Sequence, residues 1–417
     1  MNIKTFLGGV AIAAIALPGL AQAETFSLWV RSDGSEFMPK LVEAFNAMGE
    51  DKAELQIVPV NELVQKYAIA AAGGSQPDAL SLDLIYTPSF AQAGQLKDLT
   101  EFAEGLPYYD SLSKAHLSVG TYDGKIYGMP FSADASVLVW NKNLFEEAGL
   151  DPDKAPETWA DIRADAEAVS ALGDDTYGFY FSGNCGGCNI FTFTPLIWAS
   201  GGNLFEDEGA KATVETPQMK EAIEFYRGMV QEGLVPAGSQ TDAGSNFFAA
   251  FAGGNIGITP SGSFAIGALN NQYPDLEYGV TYLPGKDGDW SSFAGGDNIV
   301  VSAKTADSKM PAIQAFIEFA YSPEGQKILA QNGSLPVRDD IAEQALEGLD
   351  ARYLIAAKAM AKGRTPYSPV FNDLINSRNG PWITMLNKAF YADSEDEVDE
   401  AMAEAQEEMQ SIIDSSR

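Results

Sequence analysis

The sequence is poor in the residue types that most often carry catalysis and metal binding. Its 417 residues include two cysteines and one histidine, His116. A Ser-His-Asp arrangement would depend on His116 alone, and no recognisable nucleophile motif lies beside it. A zinc site would need more cysteine or histidine pairs than the chain has. A hydrolase of the triad type and a structural zinc protein are therefore disfavoured, whereas a glycosidase, which needs only two carboxylates, stays open.

Positive charge is also scarce. The chain has 26 lysines and arginines against 58 aspartates and glutamates, for a formal net charge of −32. A surface of this sign repels phosphate backbones and acidic lipids, which argues against binding to nucleic acid or to a membrane surface. We expect the charge to serve solubility, because net charge says little about what a cleft contains.

The sequence has only one long apolar run, at residues 6–20. Lys4 precedes this run, and Ala21-Gln22-Ala23 follows it. A basic residue, an apolar core and an Ala-x-Ala site in this order predict a cleavable signal peptide over residues 1–23. The run is too short to span a bilayer comfortably, and no cysteine follows the cleavage site as a lipid acceptor. We therefore expect a periplasmic protein without a direct membrane anchor.

The two cysteines lie in the sequence Cys185-Gly186-Gly187-Cys188. In a reducing cytosol this spacing would indicate a thioredoxin-like dithiol or half of a zinc site. The predicted export signal instead places the chain in an oxidising compartment. We therefore expect a disulfide between Cys185 and Cys188 that closes a small loop.

The chain is rich in apolar residues, which can form packed layers of helices and strands. Apolar residues make up 46% of it, and its length exceeds what one hydrophobic core usually holds. Strand and helix patterns alternate, with strands predicted at 26–30, 55–60 and 79–82 and helices at 38–48 and 62–72. This alternation is typical of parallel βαβ units and predicts an α/β fold with two lobes.

A turn signal stands near the middle of the first half. Asp123-Gly124 lies between strand-forming residues and predicts a tight hairpin. Pro130 should end the pairing, because proline cannot donate a hydrogen bond to a ladder. Residues 136–141 form an apolar run typical of a buried strand, and the helix after it should stop at Gly149.

Capping residues mark three further helices. Thr158, Thr216 and Ser322 each precede an apolar-periodic run and should cap its first turn. Gly233 and Gly333 should end the second and third of these helices. An acidic amphipathic helix is predicted near the C-terminus, at 396–413, with one face solvated and the other packed on the second lobe.

Together these segments resemble the extracellular solute-binding proteins of ABC transporters, specifically the carbohydrate-type family that includes the maltose-binding proteins. The matching features are the leader, the hairpin, Arg31-Ser32-Asp33-Gly34 after the first strand, Gln76-Pro77-Asp78 leading into Asp83, and Phe-Ala-Gly-Gly at 293–296.

The resemblance implies an α/β, two-lobed periplasmic binding protein fold of type II. Each lobe would be a sheet flanked by helices, and the ligand cleft would lie between the lobes. Lobe 1 would comprise residues 24–133 plus 283–335, and lobe 2 would comprise residues 134–282 plus 336–417. Lobes divided in this way can rotate about several chain crossings, which makes a hinge.

The resemblance also implies a function. The chain would be the periplasmic substrate-binding protein of an ABC importer, capturing a mono- or oligosaccharide, a sugar acid or a polyol by hinge closure and delivering it to the membrane permease. It would be a monomer, would not be an enzyme, and would need no cofactor or metal. Two alternatives stay open, namely a receptor for a polyamine or ferric iron on the same fold and a secreted glycoside-active enzyme.

A sugar site needs carboxylates or amides for hydroxyl pairs and aromatic rings for the C–H faces. Such groups should follow strands, at the carboxyl edge of an open α/β sheet. In the first part of the chain the candidates are Ser32, Asp33, Asp83, Tyr86 and Asp134, the last matching an acidic ligand contact of the maltose-type proteins. Ser32 and Asp33 could instead cap the next helix.

In the rest of the chain the resemblance adds stacking rings, glycines and a cation. Phe193 and Phe264 would cover sugar faces, although buried phenylalanines are more often core residues. Glycines would let backbone amides approach a ligand, and Arg364 would bind a hydroxyl pair or an acidic group. The candidates here are Phe193, Gly262, Ser263, Phe264, Gly295, Gly296, Asp297 and Arg364.

Overall fold

The computed structural model describes residues 23–59, 62–377 and 379–416, without the side chain of Asp33. The predicted signal peptide therefore lies outside the described residues except for Ala23. Within the described ranges no helix is both long and apolar enough to cross a membrane.

Fourteen strands occur in the described part of the chain. They are β1 (Thr25–Arg31), β2 (Lys52–Val58), β3 (Ala79–Asp83), β4 (Thr121–Tyr122), β5 (Lys125–Ile126), β6 (Gly128–Asn141), β7 (Tyr177–Phe179), β8 (Phe205–Glu206), β9 (Lys211–Ala212), β10 (Ile256–Gly262), β11 (Tyr278–Thr281), β12 (Leu283–Pro284), β13 (Trp290–Ser291) and β14 (Ala294–Val301).

Eighteen α-helices accompany them in the same ranges. They are α1 (Met38–Met48), α2 (Leu63–Gly73), α3 (Thr87–Gln92), α4 (Thr100–Glu104), α5 (Lys114–Gly120), α6 (Lys142–Glu147), α7 (Trp159–Ser170), α8 (Gly186–Thr192), α9 (Thr194–Ala199), α10 (Pro217–Gln231), α11 (Ala249–Ala252), α12 (Phe264–Gln272), α13 (Met310–Tyr321), α14 (Pro323–Gln331), α15 (Ala342–Ala345), α16 (Arg352–Ala361), α17 (Pro381–Phe390) and α18 (Glu395–Ser415).

Eight strands form one twisted sheet that runs through both lobes. Its order is β2-β1-β3-β14-β6-β10-β7, and β11 pairs with β6 as well. Strands β1, β2 and β3 are parallel to one another, whereas β14 is antiparallel to both β3 and β6. We call the part with β1, β2, β3, β14 and the first half of β6 lobe 1. Lobe 2 carries β7, β10, β11 and the second half of β6.

Strand β6 joins the two lobes. Its residues 128–135 pair with β14, its residues 136–140 pair with β10, and its residues 138–141 pair with β11. Ala133, at the crossing, is also bridged to Leu335. The fourteen residues of β6 are almost all buried, which agrees with the apolar run at 136–141.

Apolar side chains form three clusters on the faces of this sheet. One lies in lobe 1 around Trp29, Tyr67 and Leu82. A second covers the opposite face of lobe 1 and continues into lobe 2, with Phe131 and Ile266 among its members. The third fills the rest of lobe 2. Its aromatic members are Trp140, Phe145, Trp159, Phe179, Phe181, Phe193, Trp198, Phe205, Phe225, Tyr226, Phe293, Phe371, Trp382 and Phe390.

Local structure follows the sequence signals closely at turns and caps. Asp123 and Gly124 take φ values of 48° and 71° between β4 and β5, as a two-residue hairpin turn requires. Thr158 forms a capping box with Asp161 at α7. Thr216 and Ser322 cap α10 and α14 in the predicted way.

The expectation that Pro130 ends strand pairing is wrong. Pro130 lies within β6, opposite Asn298 of β14, and the ladder shifts register beside it between Asp297 and Asn298. A bulge of this kind accommodates a residue without an N–H group. The Pro130 carbonyl accepts a hydrogen bond from the Tyr321 hydroxyl at 2.6 Å, so the position is held by side-chain contact as well.

Candidate functional site

A cavity of about 810 Å³ lies where the two lobes meet. It is bordered by the end of β1, the crossing of β6, the start of α12 and the end of α14. Its lining residues are Arg31, Gly34, Glu36, Phe37, Ser132, Ala133, Asp134, Phe264, Gly267, Ala268, Asn271, Gln272, Gly296, Asp297, Gln331, Asn332, Gly333, Ser334 and Tyr353. The position between lobes and the mixture of carboxylates, amides and aromatic rings make this the candidate ligand cleft.

Arg31 and Asp297 line the lobe 1 side of this cleft, and Arg31 also contacts Asp83 behind them. The Arg31 Nη1 atom lies 3.1 Å from Asp83 Oδ2, and its Nη2 atom donates to Asp297 Oδ1. Asp83 and Asp297 are paired residues on the neighbouring strands β3 and β14. Ser81 Oγ donates to the other oxygen of Asp297 at 2.6 Å. The charges are thereby fixed by contacts within lobe 1, before any ligand binds.

The predicted contacts Asp134, Gly262, Ser263 and Phe264 come together on the lobe 2 wall. Three donors converge on Asp134 Oδ1: the amides of Ala135 and Ser263, at 2.8 and 3.0 Å, and the Ser263 hydroxyl. Burial nevertheless raises the pKa of Asp134 to about 6, against the lowering effect of these hydrogen bonds. This carboxylate therefore changes its protonation state within the pH range of ordinary binding experiments.

Phe264 exposes an unusual amount of ring surface at the same place. Its side chain is 40% exposed, and its ring centroid lies 6.1 Å from that of Phe247. A Cβ atom on Gly262 would lie 2.4 Å from Phe264 Cε1 and 3.0 Å from Asp134 Oδ2. Gly262 thus lets the ring and the carboxylate approach each other, which matches the pairing of stacking and hydrogen bonding that a sugar needs.

Tyr86 makes a contact across the cleft. It follows β3 in lobe 1, and its hydroxyl lies 3.4 Å from Asn372 Oδ1 in a π-helical turn (Asn372–Asn376) that packs against α8 and α17 of lobe 2. Burial, with a smaller effect of Asp83, raises the pKa of Tyr86. The phenol stays protonated and can donate a hydrogen bond to the facing lobe.

The structure separates the two phenylalanines of the segment 191–195. Phe193 is fully buried in lobe 2, with ring centroids 5.0 Å from both Tyr226 and Phe390. Phe191 is only partly buried, and its ring lies 5.4 Å from Phe293. A Cβ on Gly295 would lie 3.2 Å from the Phe191 ring. Phe191, not Phe193, therefore reaches the junction between the lobes in this conformation.

The glycines of β14 serve close packing against β6. Gly296 has a φ of 118°, and a Cβ there would lie 2.1 Å from the Ser132 carbonyl oxygen. Gly295 and Gly296 pair with Asp134 and Ala133, so their position in the ladder is settled by strand pairing. Gly296 lines the cavity, and its contact with a ligand stays a prediction.

Ser32, Asp33 and Arg364 are the remaining predicted residues. Ser32 and Asp33 belong to a 3₁₀ turn (Ser32–Ser35) between β1 and α1, whereas the N-cap of α1 is Phe37. Arg364 is exposed and lines a separate cavity of about 500 Å³ with Lys114 and Trp198. The backbone of Arg364 is bridged to Phe293, just before β14.

Sequence reasoning missed Arg31, the centre of the lobe 1 wall, although it lies in the segment that carries the family resemblance. Tyr353 on α16 and Phe37 just before α1, which also line the cavity, carried no signal because single aromatic residues are usually core. The position of Arg31 could have indicated it, because it is a basic residue at the carboxyl end of the first strand, near predicted acidic ligand contacts.

The single histidine has a structural environment. His116 is buried, its Nδ1 lies 2.8 Å from Ser113 Oγ, and its Nε2 lies 3.1 Å from the Ser132 carbonyl oxygen. Because a carbonyl only accepts, Nε2 carries the proton and Nδ1 accepts from Ser113. No carboxylate orients this ring in the manner of a hydrolase triad within the described contacts.

The expected disulfide between Cys185 and Cys188 is present. No group of three or more histidine, cysteine, aspartate or glutamate side chains that could hold a metal ion occurs within 23–59, 62–377 and 379–416.

Comparisons with known proteins agree with the fold. The chain is 26% identical over 368 residues to the diacetylchitobiose binding protein DasA of Streptomyces coelicolor, covering 85% of this chain and 83% of that protein. It is 25% identical over 345 residues to the sn-glycerol-3-phosphate-binding periplasmic protein UgpB of Escherichia coli, covering 78% and 76%. The crystal structure of the cyclic alpha-maltosyl-1,6-maltose binding protein from Arthrobacter globiformis superposes with a TM-score of 0.83 at 24% identity, over 94% of this chain and 100% of that one.

The sequence pattern of one family extends over most of the chain. Residues 40–353 match the family described as bacterial extracellular solute-binding protein. This range contains the cavity-lining residues from Ser132 to Tyr353, together with strands β6 and β14, whereas the lining residues from Arg31 to Phe37 precede it. The two-lobed α/β architecture expected from the sequence is confirmed by the superposition. The chain is a member of the bacterial extracellular solute-binding protein family.

Proposed function

We propose that this chain is the substrate-binding protein of an ABC importer and captures a carbohydrate between its lobes. The observation that carries the proposal is the exposed Phe264 ring beside the Asp134 carboxylate, at one wall of the 810 Å³ cavity. An aromatic face and an adjacent hydrogen-bonding carboxylate suit the C–H face and the hydroxyl rim of one sugar ring. Pockets of this volume are of the size that binds small organic ligands.

Hinge closure is part of the proposal. Lobe 1 carries Arg31, Asp83 and Asp297. Lobe 2 carries Ser263 and Phe264. A ligand that contacts both walls stabilises the closed form by those additional contacts, and this differential affinity is the whole driving force for closure. The Tyr86–Asn372 contact indicates that the lobes already touch on one side of the cleft.

The finer division into lobes is likewise proposed. The sequence-based boundaries put residues 283–335 in lobe 1 and residues 336–417 in lobe 2. Strands β12 and β13 pack against α9 of lobe 2, which favours a crossing closer to Phe293. Arg338 lies over the Tyr108 ring and donates to the Tyr321 carbonyl, which favours a later return to lobe 2, before α16.

The proposal includes location and partners. Residues 1–23 would direct export to the periplasm and then be removed. The mature chain would act as a monomer and deliver its ligand to the permease subunits of the transporter. The relatives support this setting, since one of them is named as a periplasmic binding protein.

The alternatives are less well supported. For ferric iron, no group of three or more histidine, cysteine, aspartate or glutamate side chains that could hold a metal ion occurs in the described part of the chain. Asp83 and Asp297 are engaged by Arg31, which leaves the pair poorly suited to the acid and base roles of a glycosidase. None of the three relatives named above is described as a polyamine-binding protein.

A thermal-shift screen of the chain without residues 1–23 tests the proposal. The probes are maltose, maltotriose, diacetylchitobiose, glucuronate, glycerol 3-phosphate, spermidine and ferric citrate. A ligand present at one hundred times its Kd stabilises the folded state by about 2.7 kcal/mol and raises the midpoint. We expect a shift with one or more of the saccharides. Shifts confined to spermidine or ferric citrate would contradict the carbohydrate function while leaving the family assignment intact.

Phe264→Ala should weaken binding of the responding saccharide roughly tenfold, because it removes the aromatic face that one ring covers. The melting temperature should change little, since the side chain is 40% exposed. Isothermal titration calorimetry measures the affinity. Tyr273→Ala is the matched control, as this aromatic residue is 37% exposed at the other end of α12 and does not line the cavity. Equal affinities for wild type and Phe264→Ala would remove Phe264 from the site.

Asp83→Asn should also weaken saccharide binding, again roughly tenfold, because a charged acceptor of hydrogen bonds is lost. Arg31 keeps its second partner, Asp297, so the fold should be retained. The same calorimetric titration reports the affinity, and circular dichroism reports the fold. Asp307→Asn serves as the control, because this carboxylate forms an exposed ion pair with Lys97 outside the cleft. An unchanged affinity in Asp83→Asn would show that Asp83 only orients Arg31.

A further inference from the structure

The disulfide lies in lobe 2, at the start of α8. Both cysteines are partly exposed, and Cys185 is the N-cap residue of α8, its Sγ accepting a hydrogen bond from the Cys188 amide at 3.0 Å. The disulfide therefore fixes the first turn of a helix whose seven residues include Phe191. A helix this short has little stability of its own and depends on such restraints.

A second loop of lobe 2 packs directly on the two sulfur atoms. A Cβ on Gly244 would lie 3.0 Å from Cys185 Sγ and 3.1 Å from Cys188 Sγ, and its φ is 103°. Only glycine allows the backbone to approach the disulfide so closely in this conformation. Three residues later comes Phe247, whose ring packs beside that of Phe264.

A third segment meets the same loop. A Cβ on Gly186 would lie 2.6 Å from the Ile375 carbonyl oxygen, and one on Gly187 would lie 3.8 Å from Asn376 Oδ1. Ile375 and Asn376 belong to the turn that faces Tyr86 of lobe 1 across the cleft. The loop from Cys185 to Cys188 thus begins the segment that carries Phe191. It also contacts the two lobe 2 segments that carry Phe247 and Asn372.

We propose that the Cys185–Cys188 disulfide is a positioning element of the ligand cleft. It holds the segments 186–192 and 244–248 in one arrangement, and through Phe191 and Phe247 it sets the aromatic surfaces on which lobe 2 closes. The placement of the two segments is independent of the ligand. Its consequence for affinity rests on the carbohydrate-binding function proposed above.

The competing explanation is that the disulfide only stabilises lobe 2 as a whole. A four-residue loop restricts little of the unfolded chain, so its global contribution is small compared with that of a long loop. Its contacts are concentrated on three segments at one surface. Positioning and global stabilisation therefore predict different distributions of local opening.

Amide hydrogen exchange of the ligand-free protein distinguishes the two. Exchange is followed by mass spectrometry in oxidised wild type, in wild type reduced with tris(2-carboxyethyl)phosphine, and in the double variant Cys185→Ser/Cys188→Ser. Reduction adds two electrons and two protons, breaks the S–S bond and yields two thiols, while the phosphine is oxidised to its oxide. We expect exchange at 186–192 and 244–248 to become about tenfold faster in both treated forms, with α10 and the global melting transition unchanged.

Two results would overturn the proposal. Unchanged exchange at 186–192 and 244–248 after reduction would mean that packing alone holds these segments. Acceleration spread evenly over lobe 2, α10 included, would mean that the disulfide is a global restraint. Adding the phosphine to the double variant must have no effect, which isolates the disulfide from other actions of the reductant. Because no sugar is present, these outcomes do not depend on the carbohydrate function.

Discussion

Phe193→Ala is expected to lower the free energy of unfolding by about 3–5 kcal/mol, the usual cost of deleting a fully buried phenylalanine ring. Phe193 has no exposed surface, and Tyr226, Trp382 and Phe390 surround it at ring distances of 5.0, 6.4 and 5.0 Å. The cavity left by the ring would be bordered by large rigid side chains, which collapse poorly into a gap. Urea denaturation of the ligand-free protein measures the change.

Phe264→Ala is the comparison for this experiment, because it deletes the same ring at a site that is 40% exposed. We expect it to change the free energy of unfolding by less than about 1 kcal/mol. Because Phe193→Ala and Phe264→Ala delete the same ring, the difference between their free energies of unfolding shows which ring belongs to the core. If Phe193→Ala is as stable as wild type but binds saccharide more weakly, Phe193 is a ligand contact, as predicted from the sequence, and not a core residue.

Acidification should destabilise the protein through His116. Burial lowers the pKa of His116 to about 4 in the folded state, against about 6.5 in an unfolded chain. As the pH falls from 7 to 4 the unfolded state takes up a proton that the folded state does not, so unfolding becomes more favourable. The loss begins near pH 6.5, levels off near pH 4 and amounts to about 3 kcal/mol.

Asp134 works in the opposite direction over the same range. Its pKa of about 6 lies above that of an unfolded aspartate, so its protonation on acidification favours the folded state. The wild-type curve is therefore a sum of opposing effects, and His116→Gln is needed to isolate one of them. Urea denaturation at pH 7.5 and 4.5 should show that wild type loses about 3 kcal/mol more than the variant does. Parallel losses in the two proteins would mean that His116 titrates normally when folded.

Much of the local structure could be predicted from sequence because it depends on single residues. The two-residue turn at Asp123-Gly124, the end of a helix at Gly149 and the capping box at Thr158 each require one backbone conformation or one hydrogen bond. Such signals are local, so neighbouring segments cannot change them easily. The disulfide between Cys185 and Cys188 was predictable for the same reason.

The choice between Phe191 and Phe193 could not be made from sequence. Two residues along a helix differ by about 200° in direction, so one of the two rings must face away from the cleft when the other faces it. Which of them faces inward depends on where α8 ends and α9 begins, and both helices are short. The packing of α17 and α10 decides this, and neither helix is close in sequence.

The cleft walls were predicted in part. Asp134, Ser263 and Phe264 do come together, although residues 134 and 263 are far apart in the chain. Arg31 was missed because its importance comes from Asp83 and Asp297, which are brought beside it only by the order of strands in the sheet. Arg364 lines a different cavity, and its contact with a ligand stays a prediction.

Strand β6 has a consequence for how members of this family can be recombined. Its first half completes the ladder with β14, and its second half completes the ladders with β10 and β11. Cutting the chain near residue 134 would leave these ladders intact within each lobe, but it would interrupt a strand that belongs to the sheets of both lobes. One lobe therefore cannot be exchanged between relatives as an independent unit. A chimaera that exchanges one lobe between relatives must keep β6 in register, since a slip of one position would turn every side chain of the receiving half towards the opposite buried face.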